Sequence, residues 1–345
     1  MALSAQTSAL LDDVLAQFGI ASATIRDIRT GRVNKHWRIE AGGKAYVLRR
    51  YIPRRSPDAI RYEHEMLRHL DPRGWPVAAA LPAVDGKTVA HVDGRSYALF
   101  PFLSGRPSPQ TPRYARLKGA TLARLHQDLA SWDAPGQRES FGRKWELDVD
   151  VAANCDFASL NELLLAFGQQ HADLARVIRA QKYAMLRELS TLGFGELPAV
   201  PGHFDFHHDN LLFQRGALTG LIDFDLAHLD ARVADIASSI ELDCVAPPAY
   251  NEIKPALAAE FVAGYVEHST LSDAELQLIV PLVRAALLSL VVWRLTRWAR
   301  GDEPEYALRS LQRSITERFP SFARKRSGLE AAVLQAGADG RELHS

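Results

Sequence analysis

Cysteine is scarce in this sequence of 345 residues: Cys155 and Cys244 are the only two, and they form no CxxC pair. The scarcity argues against a disulfide scaffold and a thiolate zinc site, and it fits a reducing compartment, the cytoplasm. A charge excess is also absent, because 41 basic residues balance 41 acidic ones. Neither nucleic acid nor a membrane surface is therefore an expected partner.

Long uninterrupted apolar runs are missing as well. The N-terminal stretch contains Asp12 and Asp13, which predicts an amphipathic helix rather than a signal peptide. The most apolar stretch, "LIVPLVRAALLSLVVWRL", is interrupted by Pro281 and Arg284, so we expect a buried core helix there. Internal repeats and low-complexity tracts are absent too.

The secondary-structure pattern changes near residue 100. Before it, hairpin turns at Gly42-Gly43 and Asp93-Gly94 flank a helix that begins at Ser56. After the break "SGRPSPQTP" the pattern is mostly helical, with short strands near residues 203 and 220. The sequence predicts an α+β fold with two domains: residues 1–101, containing an antiparallel sheet, and residues 102–345, mostly helical.

The stretch "GHFDFHHDNLLF" at 202–213 concentrates histidine, aspartate and asparagine. A zinc site is one interpretation, since His203 and His207 are four residues apart, as helical ligands would be. The alternation with Phe204 and Phe206 instead indicates a strand that leads into a loop, which would scatter the ligands. A polar turn without chemistry is a second interpretation.

Phosphoryl transfer uses more of these residues together. It needs a carboxylate to accept a hydroxyl proton, and oxygen ligands for magnesium. Asp205 is the candidate carboxylate. Asn210 and Asp223 are the candidate magnesium ligands, and Asp223 lies in the later stretch "LIDFD". A catalytic loop followed by a β-turn can bring the three side chains together.

The combined pattern "HFDFHHDNLLF…GLIDFDLAHLDARVADIA" resembles the signature of the aminoglycoside phosphotransferase-like kinases. This family also contains choline kinases and bacterial homoserine kinases, and its usual form is close to "HGDLHPGN" followed by "IDWE…DLA". The resemblance covers roughly residues 25–240 and includes "LARLH" at 122–126. It implies a protein-kinase-like fold, ATP and Mg²⁺ in a cleft between two lobes, and γ-phosphoryl transfer to a hydroxyl of a small molecule.

The resemblance also implies residue roles. Asp205 matches the catalytic base, Asn210 and Asp223 match the magnesium ligands, and Asp235 matches an aspartate that supports the catalytic loop. Arg49 stands where the family usually has a phosphate-binding lysine, although the neighbouring Arg50 competes for the role. The remaining implied residues are Glu63, which would brace that cation and competes with Glu65, and Phe100 to Phe102, a hinge whose backbone would contact adenine.

Departures from the pattern leave a second hypothesis open. Arg49 replaces lysine, Phe204 and Asp209 replace glycines, and "TGRVNKHW" contains one glycine rather than a glycine-rich loop. The backbone amides of residues 32–35 are expected to cover the phosphates instead. The alternative is a degenerate pseudokinase, a nucleotide-binding module without turnover.

The acceptor is open among several classes: an aminoglycoside, homoserine, an amino alcohol such as choline, or a protein. A carboxylate of homoserine would need a cation such as Arg294 or Arg297, and choline would need an aromatic box such as Trp293 and Trp298. The alternative for that helix is plain packing with extended arginines. An aminoglycoside would need an acidic surface, for which the candidates are Asp148, Asp150, Asp156, Glu162, Glu241 and Asp243.

Overall fold

The structure is a computed structural model, and it describes residues 4–28, 33–245 and 252–342. The strands in these ranges are β1 (Thr24–Ile28), β2 (Lys35–Ala41), β3 (Lys44–Arg50), β4 (Ala90–Val92), β5 (Arg95–Pro101), β6 (Arg106–Pro107), β7 (Val200–Gly202), β8 (Leu211–Gln214), β9 (Ala217–Leu221) and β10 (His228–Asp230). The α-helices are α1 (Ala5–Gln17), α2 (Pro57–Leu70), α3 (Pro112–Leu129), α4 (Leu147–Asn154), α5 (Leu160–Gly168), α6 (Ala172–Thr191), α7 (Arg232–Asp243), α8 (Pro255–Val266), α9 (Asp273–Ala299), α10 (Pro304–Arg313) and α11 (Phe319–Glu342).

The chain separates into two compact units. Unit 1 comprises Met1–Pro107 and Leu211–Ile222, and unit 2 comprises Ser108–Asn210 and Asp223–Ser345. The hairpin of β8 and β9 belongs to unit 1 because β8 pairs with β6. The domain division after residue 101 stays a prediction.

Unit 1 is built on an antiparallel sheet with the strand order β1-β2-β3-β5-β4. The two predicted hairpins are present, and their turn residues Gly42-Gly43 and Asp93-Gly94 all have positive φ, as tight hairpin turns require. Side chains of α1 and of β2, β3 and β5 form a buried cluster on one face of the sheet, made of Leu11, Val14, Leu15, Trp37, Ile39, Leu48, Tyr97 and Leu99. Burial of this apolar surface holds the sheet to α1.

Helix α2 begins as the sequence predicts. The Ser56 side chain accepts a hydrogen bond from the Ala59 backbone N–H (3.1 Å), and Pro57 occupies the first helical position. The buried face of this helix carries Ile60, Met66 and Leu67, and it also carries the carboxylate of Glu63.

Unit 2 is mostly helical, and α9 runs through its core. A capping box of Ser272 and Glu275 begins α9. The helix is long and apolar enough to cross a membrane by length and composition, but 72% of its most apolar window is buried inside the protein. The prediction of a buried core helix is confirmed.

Helices α3 and α8 cross with their backbones in contact. A Cβ at Gly119 would lie 1.9 Å from the Phe261 carbonyl oxygen, and one at Gly264 would lie 1.9 Å from the Arg116 carbonyl oxygen. Only glycine fits at these two positions, so the crossing fixes α3, which carries Lys118 and His126 toward α7. The antiparallel sheet together with these helices confirms the α+β fold class.

Candidate active site

The loop at 203–210 follows β7, which is paired with β10. Its first residues are held by Asp235 of α7, whose carboxylate accepts hydrogen bonds from the backbone N–H groups of His203 (2.8 Å) and Phe204 (2.9 Å). His126 of α3 contacts the same carboxylate (3.1 Å). Burial alone would raise the pKa of Asp235, but His126 and these amides lower it, so the carboxylate is charged. Asp235 therefore anchors the start of the loop.

Phe204 has the left-handed conformation that glycine favours (φ 57°). Such a conformation costs a bulky residue about 1–3 kcal/mol. The hydrogen bond to Asp235 holds the backbone, and the buried Phe204 ring packs 4.1 Å from the ring of His228. Burial lowers the pKa of His228 to about 4, so this ring is neutral at pH 7. Packing thus allows phenylalanine where the resembled motif has glycine.

Asp205 lies next to Asn210 and His207. The Asn210 Nδ2 group donates to the Asp205 carboxylate Oδ2 (2.9 Å) and to its backbone oxygen (2.9 Å). His207 Nε2 lies 3.5 Å from Asp205 Oδ1. Burial would raise the pKa of Asp205, but the hydrogen bonds and charge of its neighbours outweigh it and lower the pKa. The pKa of His207 is raised because the carboxylate outweighs burial there. Asp205 is therefore ionised at neutral pH.

Asn210 and Asp223 both belong to unit 2, although the β8–β9 hairpin separates them in sequence. Because the Asn210 Nδ2 group donates to Asp205, its amide oxygen Oδ1 is the atom left to bind a cation. Asp223 has a positive φ (63°), and the neighbouring Phe224 ring packs 4.5 Å from the His203 ring. The oxygen donors of Asn210 and Asp223 suit a hard cation such as Mg²⁺.

Arg138 braces the turn after Asp223, and sequence reasoning missed it. Its guanidinium is buried and donates from Nη1 to the carbonyl oxygens of Phe224 (3.1 Å), Asp225 (3.0 Å) and Ala227 (2.9 Å). No local pattern marks this arginine, because its partners are more than 80 residues away in sequence.

The structure places His207, but not His203, in a group of side chains close enough to share a metal ion. His203 is buried, its Nδ1 accepts from the Asp205 N–H (3.3 Å), and its ring packs on Phe224. Ligand atoms of His207, His208 and Asp209 come within 4.8 Å of one another. His207 is engaged by Asp205 and Asn210, and His208 by Asp243, so the imidazoles serve the loop itself.

In unit 1, Arg49 and Glu63 form a buried ion pair. Arg49 Nη1 lies 2.6 Å from Glu63 Oε1, and its Nε donates to His36 (3.1 Å). The guanidinium also lies over the rings of Tyr51 and Phe100. This geometry distinguishes the competing residues: Arg50 stacks over Trp37, and Glu65 lies on the helix surface near Arg61. That Arg49 binds phosphate stays a prediction.

The predicted hinge at Phe100 to Phe102 forms the end of β5. Phe100 is buried and pairs with Val47 of β3. The Phe102 N–H donates to the Ala45 carbonyl (3.1 Å), so this amide is occupied and the Phe102 carbonyl is the group left for a ligand. The expected phosphate cover at residues 32–35 falls partly outside the described residues, because 29–32 are not described.

Most of the acidic candidates for the acceptor site are engaged internally. Asp148 pairs with Lys182 (3.1 Å), and Glu162 accepts from the Ala158 N–H (2.8 Å). Glu241 pairs with Arg318, Asp243 pairs with Lys118, and Asp156 also has an interaction partner. Asp150 differs from these five: within the described ranges its carboxylate has no hydrogen-bond or ion-pair partner, and burial raises its pKa to about 6.

The cationic and aromatic candidates on α9 serve packing. Arg294 donates to Ser314 Oγ (2.8 Å), and Arg297 pairs with Glu303 (2.8 Å) while lying over the Trp293 ring. Trp298 packs edge-on against Phe167. Each tryptophan thus contacts a neighbouring side chain, and the interpretation of a packed helix with extended arginines fits this geometry.

Known proteins with similar sequences and structures indicate the family to which the chain belongs. A sequence model described as "Phosphotransferase enzyme family" matches residues 24–275, which is most of the chain. The chain belongs to the phosphotransferase enzyme family. The prediction of a small-molecule kinase is confirmed at this level, and the comparisons give no support to the pseudokinase alternative.

Relatives of this family member include a homoserine kinase of Zymomonas mobilis, 27% identical over 80% of this chain and 81% of the relative. Two solved structures resemble it: a microcompartment-associated aminopropanol kinase (TM-score 0.70, 20% identity, covering 95% of this chain and 99% of that one) and an amicoumacin kinase in complex with AMP-PNP and Ca²⁺ (TM-score 0.66, 18% identity, 92% and 97%). These similarities confirm the protein-kinase-like fold.

Proposed function

We propose that this phosphotransferase moves the γ-phosphoryl group of ATP, with Mg²⁺, to the hydroxyl of a small alcohol that carries a protonated amine. Homoserine is the best-supported acceptor. The observation that carries the reaction is the pair formed by Asp205 and Asn210, in which one amide orients the carboxylate and leaves its own oxygen for a cation.

Asp205 acts on the acceptor hydroxyl. Its lowered pKa keeps the carboxylate ionised, so it accepts a hydrogen bond from the hydroxyl and aligns that oxygen for attack. The proton passes to Asp205 as the bond from the acceptor oxygen to the γ-phosphorus forms and the bond from that phosphorus to the β–γ bridging oxygen breaks, which releases ADP. In this account positioning contributes more than basicity, because phosphoryl transfer needs little covalent help from the protein.

Asn210 and Asp223 would hold the metal, through one amide oxygen and one carboxylate. Bound Mg²⁺ supplies charge that offsets the negative charge on the phosphate oxygens. Arg49 would bind the phosphates of ATP, and its fork can serve Glu63 and an anion together, which a lysine point charge does less well.

Asp150 is the proposed binding group for the amine. It is half-buried and has no direct partner among the residues that the structure describes. A desolvated carboxylate gains most from an ammonium ligand. The charge of Lys144 acts on Asp150, and the backbone N–H of Lys144 donates to Asp230 (2.6 Å) on β10. Strand β10 pairs with β7, the strand that precedes the loop at 203–210. A single carboxylate fits one ammonium group better than the several of an aminoglycoside.

Lys144 makes an amino acid the favoured acceptor. Burial raises the pKa of Asp150 and the charge of Lys144 offsets part of that rise, so the two side chains interact without forming an ion pair. A cation and a carboxylate so arranged complement the carboxylate and ammonium of one zwitterion. The relatives named homoserine kinase support the same choice, and the matched region covers most of this chain and most of each relative.

The test is ADP release from Mg-ATP with a panel of homoserine, aminopropanol, choline, an aminoglycoside and a simple sugar. We expect release that depends on homoserine and is lost in Asp205→Asn. Release with the aminoglycoside alone would contradict the role of Asp150. ATP binding without release for any acceptor would favour the nucleotide-binding module.

A further inference from the structure

Two carboxylates of α7 hold the catalytic loop, each backed by a basic residue of α3. Asp235 binds the start of the loop and is backed by His126. Asp243, eight residues later on α7, binds the middle of the loop and is backed by Lys118, eight residues before His126 on α3. Eight residues are about two helical turns, so the two antiparallel helices present two matching supports.

The second support is as buried as the first. Lys118 and Asp243 each have side chains only 1% exposed, and Lys118 Nζ pairs with Asp243 Oδ2. The other carboxylate oxygen, Oδ1, accepts the His208 backbone N–H (2.9 Å) and lies 3.2 Å from His208 Nδ1. Gln110 donates to the Asp243 carbonyl (3.1 Å). A buried ion pair often contributes little net stability, and positioning the groups that it contacts is one role that such a pair can have.

The His208 N–H that meets Asp243 has no counterpart in the resembled motif. "HGDLHPGN" has proline at the position of His208, and proline has no N–H to donate. This chain has therefore gained a hydrogen bond at the point where it lacks the stiffness of a proline. A proline ring would fix the backbone φ angle at this position, whereas here the hydrogen bond to Asp243 holds the backbone of His208.

His208 lies in the turn that carries Asn210. The Asn210 N–H closes this turn on the His207 carbonyl (2.9 Å), and the Asp209 N–H faces His207 Nδ1 (3.4 Å). Fixing the His208 backbone therefore fixes the position of Asn210, whereas Asp235 fixes the part of the loop before Asp205.

We propose that Lys118 and Asp243 are positioning residues that hold Asn210 for metal binding, separately from the support of Asp205 by Asp235. This inference rests on the proposed function, because it takes Asn210 as a metal ligand. It predicts that the two supports fail differently: loss of the Asp243 support weakens metal binding, while loss of the Asp235 support slows transfer at every metal concentration.

The decisive variant is the double substitution Lys118→Met with Asp243→Leu. It removes the acceptor for the His208 N–H without leaving one buried charge alone, a replacement that often preserves stability. Mn²⁺ binding is measured by electron paramagnetic resonance in the presence of AMP-PNP, and amide hydrogen exchange is followed across residues 203–210. We expect Mn²⁺ affinity to fall about 10- to 100-fold, the range for supporting partners of metal ligands, and the amides of 208–210 to exchange faster.

His208→Ala is the matched control, because it removes the imidazole and keeps the N–H. We expect its Mn²⁺ affinity to stay close to that of the wild type. Unchanged Mn²⁺ affinity and exchange in a folded double variant would overturn the proposal, as would a loss in His208→Ala equal to that of the double variant. Neither readout needs turnover. A wild type that binds Mn²⁺ but transfers no phosphate would reject the proposed function and leave the inference standing.

Discussion

The Arg49–Glu63 pair in unit 1 and the Asp205 loop in unit 2 are positioned by different means. Arg49 lies within β3, paired with His36 of β2 and Ala98 of β5, so strand register fixes where its side chain starts. Asp205 has no strand partner, and it is placed by hydrogen bonds between side chains and the loop backbone: the His203 N–H donates to Asp235, and the Asn210 side chain donates to the Asp205 carbonyl oxygen. We therefore expect Arg49 on β3 to tolerate conservative substitution. We expect the loop around Asp205 to lose activity when even one hydrogen-bonding group is removed.

The largest expected effect is at Asp205. Asp205→Asn keeps the shape of the side chain and removes its charge, so the acceptor hydroxyl loses its proton acceptor. We expect kcat to fall about 10²- to 10⁴-fold, the usual contribution of a general base, with the KM for ATP little changed. Steady-state kinetics measure both. A fall below tenfold would show that Asp205 is only a loop residue.

Loss of the first loop support comes next. Asp235→Ala leaves the buried N–H groups of His203 and Phe204 without an acceptor, at about 1–3 kcal/mol for each group. We expect a lower free energy of unfolding and a lower kcat together, measured by denaturant titration and kinetics. Leu11→Ala controls for stability alone, because it leaves a cavity in the buried cluster between α1 and the sheet of unit 1. Equal kinetic loss in both variants would deny Asp235 a specific role.

Substitution of Arg49 tests whether the residue on β3 tolerates conservative change. Arg49→Lys keeps a cation for Glu63, and we expect the KM for ATP to rise about tenfold or less through loss of the fork. Arg49→Met leaves a buried carboxylate alone and should destabilise the protein by about 3–5 kcal/mol. Binding of AMP-PNP by calorimetry and thermal unfolding separate the two effects. Equal loss of AMP-PNP binding in Arg49→Lys and Arg49→Met would contradict the expected tolerance of Arg49 to conservative substitution.

The smallest effect concerns pH and Asp150. Its pKa is raised from 3.8 to about 6, so the carboxylate is charged above that pH and neutral below it. The KM for an amine-bearing acceptor should rise as the pH falls through about 6. Asp150→Asn should raise the KM and remove this pH dependence. An unchanged profile in the variant would assign the amine to another group.

The sequence predicted what depends on local spacing. The hairpins at Gly42-Gly43 and Asp93-Gly94, the cap at Ser56 and the buried helix at Asp273–Ala299 all follow from short-range patterns. The sequence left Glu63 and Glu65 in competition, and the contact with Arg49 is made by Glu63. The roles of Asp205, Asn210 and Asp223 stay predictions.

Long-range pairing could not be predicted. Arg138 meets carbonyl groups more than 80 residues away, and Lys118 meets Asp243 across 125 residues of sequence. Asp243 was therefore a candidate acceptor-binding acid, since nothing local in the sequence shows that its side chain pairs with Lys118. Periodicity shows which side of an element is buried, but not which polar groups meet there.

The central claim is transfer to an acceptor hydroxyl under the control of Asp205, and ³¹P NMR of the products tests it most directly. Wild-type protein with Mg-ATP and homoserine should give ADP and a new phosphomonoester signal, absent with Asp205→Asn. Inorganic phosphate in place of the phosphomonoester, or the same ester signal with Asp205→Asn, would contradict the account.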